Sequence, residues 1–132
     1  MKLSEAMRRG SKMAKQNFGS WTDGDGGCAL MLTSLGAGTI SKEKLALEIR
    51  HGYVPVPGEL LKQFPILLKD TDSPCACNFR ASAWHVVMHV NDVHRYTAER
   101  IAGWVESHLE TPTYSMLQMQ GYMADPEVAH VG

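Results

Sequence analysis

The sequence predicts a mainly α fold: one compact single domain of about four to five helices. Three observations lead there. Apolar residues recur at helical spacing over Leu3–Ala14 and again over Ile101–Leu109. The run Cys28–Leu35 is apolar nearly all round, as a buried helix is. Glycine- and proline-rich stretches separate such segments, and 132 residues with 44% hydrophobic content suffice for one core.

Leu3, Ala6, Met7, Gly10, Met13 and Ala14 share one face of a helix expected from Ser4 to Gln16. Ser4 is its expected N-cap, Glu5 sits near its positive end, and its opposite face is basic. Phe18–Gly27 is too rich in glycine and aspartate for a helix interior and reads as a shaped loop pinned by Phe18 and Trp21. The buried helix beginning at Cys28 ends at Gly36-Ala37-Gly38. Ser41 caps a third helix, Lys42 to His51, with Leu45, Ala46 and Ile49 inward and Gly52 as its stop.

Val54-Pro55-Val56-Pro57 is an extended connector, because proline pushes its predecessor out of the helical region. Gly58–Gln63 reads as one or two helical turns, Ile66-Leu67-Leu68 as core, and Lys69–Pro74 as a polar loop. Residues 84–90 read equally as helix or as one short strand or hairpin, since periodicity cannot arbitrate over so short a run. Asn91-Asp92 reads as a turn. Thr97 is the expected N-cap of a helix from Ala98 to Leu109, whose apolar stripe is Ile101, Ala102, Trp104, Val105, His108 and Leu109. The globular domain is expected to span 1–110. Residues 111–132 form a Met/Gln-rich tail, docked or partly mobile until a partner arrives.

A formal net charge of −1 creates no global field for nucleic acid or anionic membrane. The basic first helix comes with no recognition motif and no aromatic stacking platform, so nucleic acid is not expected as a partner. No apolar run approaches the roughly 18 residues that span a bilayer, and Met1–Glu5 has no apolar signal region. The three cysteines, Cys28, Cys75 and Cys77, are a poor disulfide framework. These features lead us to expect a cytoplasmic protein. Residues 1–16 carry Lys2, Arg8, Arg9, Lys12 and Lys15 against Glu5, and residues 97–132 carry Glu99, Glu106, Glu110, Asp125 and Glu127 against Arg100. These are either solvated helix faces or ends that attract each other.

The segment Cys75–His94 is dense in chemistry. Cys75, Cys77, His85 and His89 form the expected metal set, because zinc takes thiolate and imidazole tetrahedrally and His-x3-His puts both rings on one helix face. Against it stands the spacing of the cysteines, one residue where zinc sites usually have two to four. An alternative set takes one cysteine and His94. His89, Asn91, Asp92 and His94 could instead form a polar site for a ligand or for acid–base work, or a turn in which Asn91 and Asp92 satisfy backbone donors. Trp21, Asp23 and Asp25 join them as candidate ligand- or partner-binding residues. A calcium loop starting at Asp23 fails, since Cys28 and Ser34 stand where glycine and glutamate are needed. Two aspartates repel a phosphate from the Gly26-Gly27 backbone. No Walker, Rossmann or nucleophile-elbow pattern is present, and no catalytic residue is assigned.

Two stretches resemble an uncharacterised family of small bacterial and phage proteins. Phe18-Gly19-Ser20-Trp21-Thr22-Asp23-Gly24-Asp25-Gly26-Gly27-Cys28-Ala29-Leu30 is similar to the family's aromatic-Asp-Gly-x-Gly-Gly loop leading into a Cys-Ala-Leu helix. His89 to Glu106 resembles its pattern His-x-Asn-Asp-x-His-x-aromatic-Thr-x-Glu-x-Ile-Ala-x-Trp-Val-Glu. Together they cover about a quarter of the chain. The family often carries a Cys-x-x-Cys pair ahead of the second stretch, and Cys75-Ala76-Cys77 departs from that spacing. The resemblance implies the family's shape and a bacterial or phage origin, and carries no activity.

The expectation is therefore a small non-catalytic binding or accessory protein acting on a partner protein or small ligand, with homo-oligomers allowed and no cofactor required. The methionine-rich tail suits it, methionine being an adaptable contact residue. The alternative is a zinc-binding domain or metal-dependent enzyme built on Cys75, Cys77, His85 and His89.

Overall fold

In the computed structural model, which describes residues 1–19, 26–50 and 58–111, the chain is mainly helical. The described elements are α1 (Leu3–Ser11), α2 (Ala29–Ala37), α3 (Lys42–Arg50), α4 (Gly58–Gln63), a 3-10 turn (Pro65–Leu68), strands β1 (Asp70–Asp72) and β2 (Arg80–Ser82), α5 (Ala83–Asp92), α6 (Ala98–Val105) and a π-helical turn (Glu106–Glu110). Trp21, Asp23, Asp25, the 54–57 connector and the tail beyond Thr111 lie outside the described residues. No helix among the described residues is long and apolar enough to cross a membrane.

The core gathers on α2. Ala29 to Gly36 are all buried, which explains why its sequence shows no polar face. α1, α5 and α6 pack around it and contribute Leu3, Met7, Val86, Val87, Val90, Ile101 and Val105. α1 crosses α2 backbone to backbone. A Cβ on Gly10 would stand 1.7 Å from the Leu32 carbonyl oxygen, and one on Gly36 1.9 Å from that of Ala6. Gly36 is thus a packing residue inside the helix. The residue that ends α2 is Gly38, with φ 77°, where Gly38 and Thr39 N–H groups donate to Leu35 and Ser34 carbonyls.

One open reading is settled and several expectations are corrected. Residues 84–90 belong to helix α5, because Val86, Val87 and Val90 at i, i+1 and i+4 present one stripe to the core. The short antiparallel strands precede it, in register Asp70↔Ser82, Thr71↔Ala81 and Asp72↔Arg80. Asn91-Asp92 is the last turn of α5 rather than a free turn. α1 stops at Ser11, before Gln16, and Lys2 occupies its N-cap. Ser4 lies inside the helix, 1% exposed; its backbone N–H and hydroxyl donate to the Glu110 carboxylate at 3.0 and 2.5 Å. In α3 Leu45 is buried but Ala46 is exposed. The α6 helix widens into its π-helical turn after Val105.

Two caps stand as expected. Arg100 N–H donates to Thr97 Oγ1 at 3.1 Å, and Lys44 N–H to Ser41 Oγ at 3.1 Å. The opposed charges of the two ends also meet. Arg8 holds Glu99 and Glu106 at 2.9 Å each, and these carboxylates raise the pKa of Arg8.

Candidate metal centre

The β1–β2 hairpin carries the first half of the site on its loop. Ser73 N–H donates to the Phe79 carbonyl at 2.8 Å and Phe79 N–H to Ser73 Oγ at 3.2 Å, closing the loop at its base. Within it, Asn78 N–H reaches the Cys75 carbonyl at 3.3 Å, so Cys75 and Cys77 are the first and third residues of a tight turn. Asn78 leaves that turn with φ 52°, a left-handed conformation asparagine tolerates better than most residues. This curvature brings both sulfurs toward one point although a single residue separates them.

The second half comes from the end of α5. His89 lies in its last turns, and the chain then reverses so that His94 returns beside it. Arg95, with φ 54°, and the Tyr96 N–H bond to the Val90 carbonyl at 3.0 Å make that reversal. One ligand atom from each of Cys75, Cys77, His89 and His94 lies within 4.8 Å of the others. His94 Nε2 is 3.1 Å from His89 Nε2 and 3.3 Å from Cys77 Sγ. The Phe79 ring meets His89 edge-on at 4.7 Å and buttresses its orientation.

The two thiols shift in opposite directions. Desolvation works to raise the Cys75 pKa, but hydrogen bonds from the Ser73 side chain and from the Cys77 backbone and thiol outweigh it, and the net shift is downward. Cys77 moves upward, through desolvation and then through its hydrogen bond with Cys75 and the charge there. Cys28 is different: burial in the core pushes its thiol up to about 11.

Of the expected metal set, Cys75, Cys77 and His89 come together, and His94 completes the group. His85 does not join it. It is exposed, its Nδ1 lies 2.8 Å from Ser82 Oγ, and its ring stacks on Trp84 at 3.7 Å. The helix explains this: β2 ends at Ser82, so His85 falls in the first turn of α5, facing its start, while His89 points to the hairpin loop.

Asn91 and Asp92 are engaged in hydrogen bonds that join distant segments of the fold. Asn91 is fully buried. Its Oδ1 accepts from Gln16 Nε2 at 2.7 Å and from Ala29 N–H at 2.9 Å. Its Nδ2 donates to the Asn17 carbonyl at 3.1 Å and to Asp92 Oδ1 at 2.8 Å, and that carboxylate also accepts Gly19 N–H at 2.9 Å. Gln16 bridges onward, donating to the Tyr96 carbonyl at 2.9 Å and accepting Ala98 N–H at 2.7 Å. Nothing in the local sequence context of Gln16 marks it for this role. Comparison of the chain with protein-family models, with curated proteins and with solved structures returns no match.

Proposed function

We propose that this protein is a small non-catalytic binding domain stapled by one structural zinc ion held by Cys75, Cys77, His89 and His94. The observation that supports it is the convergence of four ligand atoms within 4.8 Å of one another. A tetrahedral zinc with bonds of about 2.0–2.1 Å to nitrogen and about 2.3 Å to sulfur spaces two nitrogens about 3.3 Å apart and nitrogen from sulfur about 3.5 Å. The separations of 3.1 Å and 3.3 Å about His94 Nε2 match that size. Two ring nitrogens and a thiol sulfur thus converge on one point, the arrangement a metal ion needs.

The donor set favours zinc over magnesium or calcium, which prefer oxygen. Four protein ligands fill a tetrahedron and leave no position for water or substrate, as in structural sites. Such an ion ties the hairpin loop to the end of α5. The work of the domain is then recognition of a partner protein or small ligand.

The test is zinc content per chain after purification without added metal, beside a Cys75→Ser, Cys77→Ser double variant. Stoichiometric zinc, lost in the variant together with stability, is the expected result. Cobalt substitution should add the absorption of a tetrahedral thiolate site. Zinc lost without loss of fold would favour the metal-dependent enzyme instead, and absence of metal from the wild-type chain would end the zinc reading.

A further inference from the structure

We infer that Cys77 is a site of oxidation by hydroperoxides, with Cys75 as its resolving thiol, and that this oxidation ejects the metal. The inference rests on the zinc reading above.

The three thiols differ sharply in access. Cys28 is 3% exposed in the core, Cys75 is half-buried, and Cys77 is exposed. A peroxide arriving from solvent therefore meets Cys77 first. Its partner is already in place. Cys75 and Cys77 sit at the first and third positions of one tight turn, and their sulfurs lie within 4.8 Å of each other. Forming a sulfur–sulfur bond of about 2.05 Å then requires local motion in an exposed loop rather than a rearrangement of helices.

The chemistry balances in two steps. The Cys77 sulfur, a thiolate because it ligates zinc, attacks the outer oxygen of ROOH, the O–O bond breaks, and Cys77 sulfenic acid forms; the alkoxide takes a proton and leaves as ROH. The Cys75 thiolate then attacks the Cys77 sulfur, a sulfur–sulfur bond forms, and hydroxide leaves as water after taking a second proton. Two thiolates are oxidised by two electrons and one peroxide is reduced. Zinc loses both anionic ligands and keeps only His89 and His94, two neutral donors. The hairpin loop is thereby untied from the end of α5.

The test treats the zinc-loaded full chain with hydrogen peroxide in the presence of a chromogenic zinc chelator. Complete loss of bound zinc is expected, with an intact mass lower by two hydrogens, a Cys75–Cys77 link in the peptide map, and recovery on adding thiol reductant and zinc. Cys28→Ala should release zinc as the wild type does. Cys77→His keeps four donors but removes the disulfide, and its zinc should resist peroxide. Retention of zinc by the wild type under peroxide, release through a Cys28 or intermolecular disulfide, or equal release from Cys77→His would overturn the inference while leaving the zinc site standing. A wild-type chain that takes up no zinc beforehand overturns both.

Discussion

Asn91 Oδ1 accepts the backbone N–H of Ala29 at 2.9 Å, so a side chain at the end of α5 caps the start of α2 across 62 residues. Cys28, the residue at the α2 N-cap, makes no side-chain cap bond of its own. The cap for the most buried helix is therefore supplied through space.

Removing that amide should be costly. Asn91→Ala leaves the Ala29 N–H and one Gln16 donor to find other partners in a buried site, and we expect a loss of about 3 kcal/mol in urea unfolding. Asn91→Asp keeps the acceptor but turns a carboxylate oxygen toward the Asn17 carbonyl and Asp92. That variant should be strongly destabilised at neutral pH and recover in acid, where one carboxylate of the pair can carry a proton.

Two glycines within helices should respond oppositely to alanine. At Gly36 a Cβ would stand 1.9 Å from Ala6 backbone oxygen, forcing α1 from α2, and Gly36→Ala should lose about 2–3 kcal/mol. At Gly103 a Cβ meets nothing within 4 Å. Gly103→Ala should gain about 0.5–1 kcal/mol, because glycine gives up more backbone freedom in a helix. Thermal unfolding of both variants checks the contrast.

The Arg8–Glu106 pair predicts a pH response. Its hydrogen bond and charge hold the Glu106 carboxyl below its ordinary value. A depressed carboxylate stabilises the fold above the unfolded-state pKa of about 4.3, and that contribution is lost as pH falls through the lower folded-state value. Glu106 is solvent-exposed, so the effect is small. In Arg8→Gln the drop in stability from neutral pH to about pH 3 should be shallower than in the wild type, as chemical denaturation at each pH would show.

The two histidines at issue in α5 and after it should separate in metal titrations. His94→Ala removes a nitrogen that faces both His89 and Cys77, and zinc affinity should fall by about 10–100-fold or more. Among the described residues His85 meets Ser82 and the Trp84 ring, and in His85→Ala zinc affinity should stay at the wild-type value. Competition against a chelator of known affinity measures both. Equal losses would mean that the cluster forms differently in solution.

Sequence alone determined the features that act within about one helical turn. The apolar stripe of α6, the Thr97 and Ser41 caps, and the buried character of α2 follow from residues within four positions of one another. That Cys75–His94 is dense in thiols and imidazoles was legible from composition, while their convergence is set by the tertiary structure. Which imidazole joins the cysteines was not legible. His85 and His89 look equivalent on a helix, and the choice of His94 depends on where α5 starts and how the chain reverses at Arg95. Ser4 reads as a cap by its neighbours and instead binds Glu110 across 106 residues. Gln16 and Asn91 join segments 75 residues apart, and Gly10 and Gly36 matter only because two helices touch there. Periodicity and capping are local, whereas hydrogen bonds between distant segments and close backbone contacts exist only once the core has set the distance between helices.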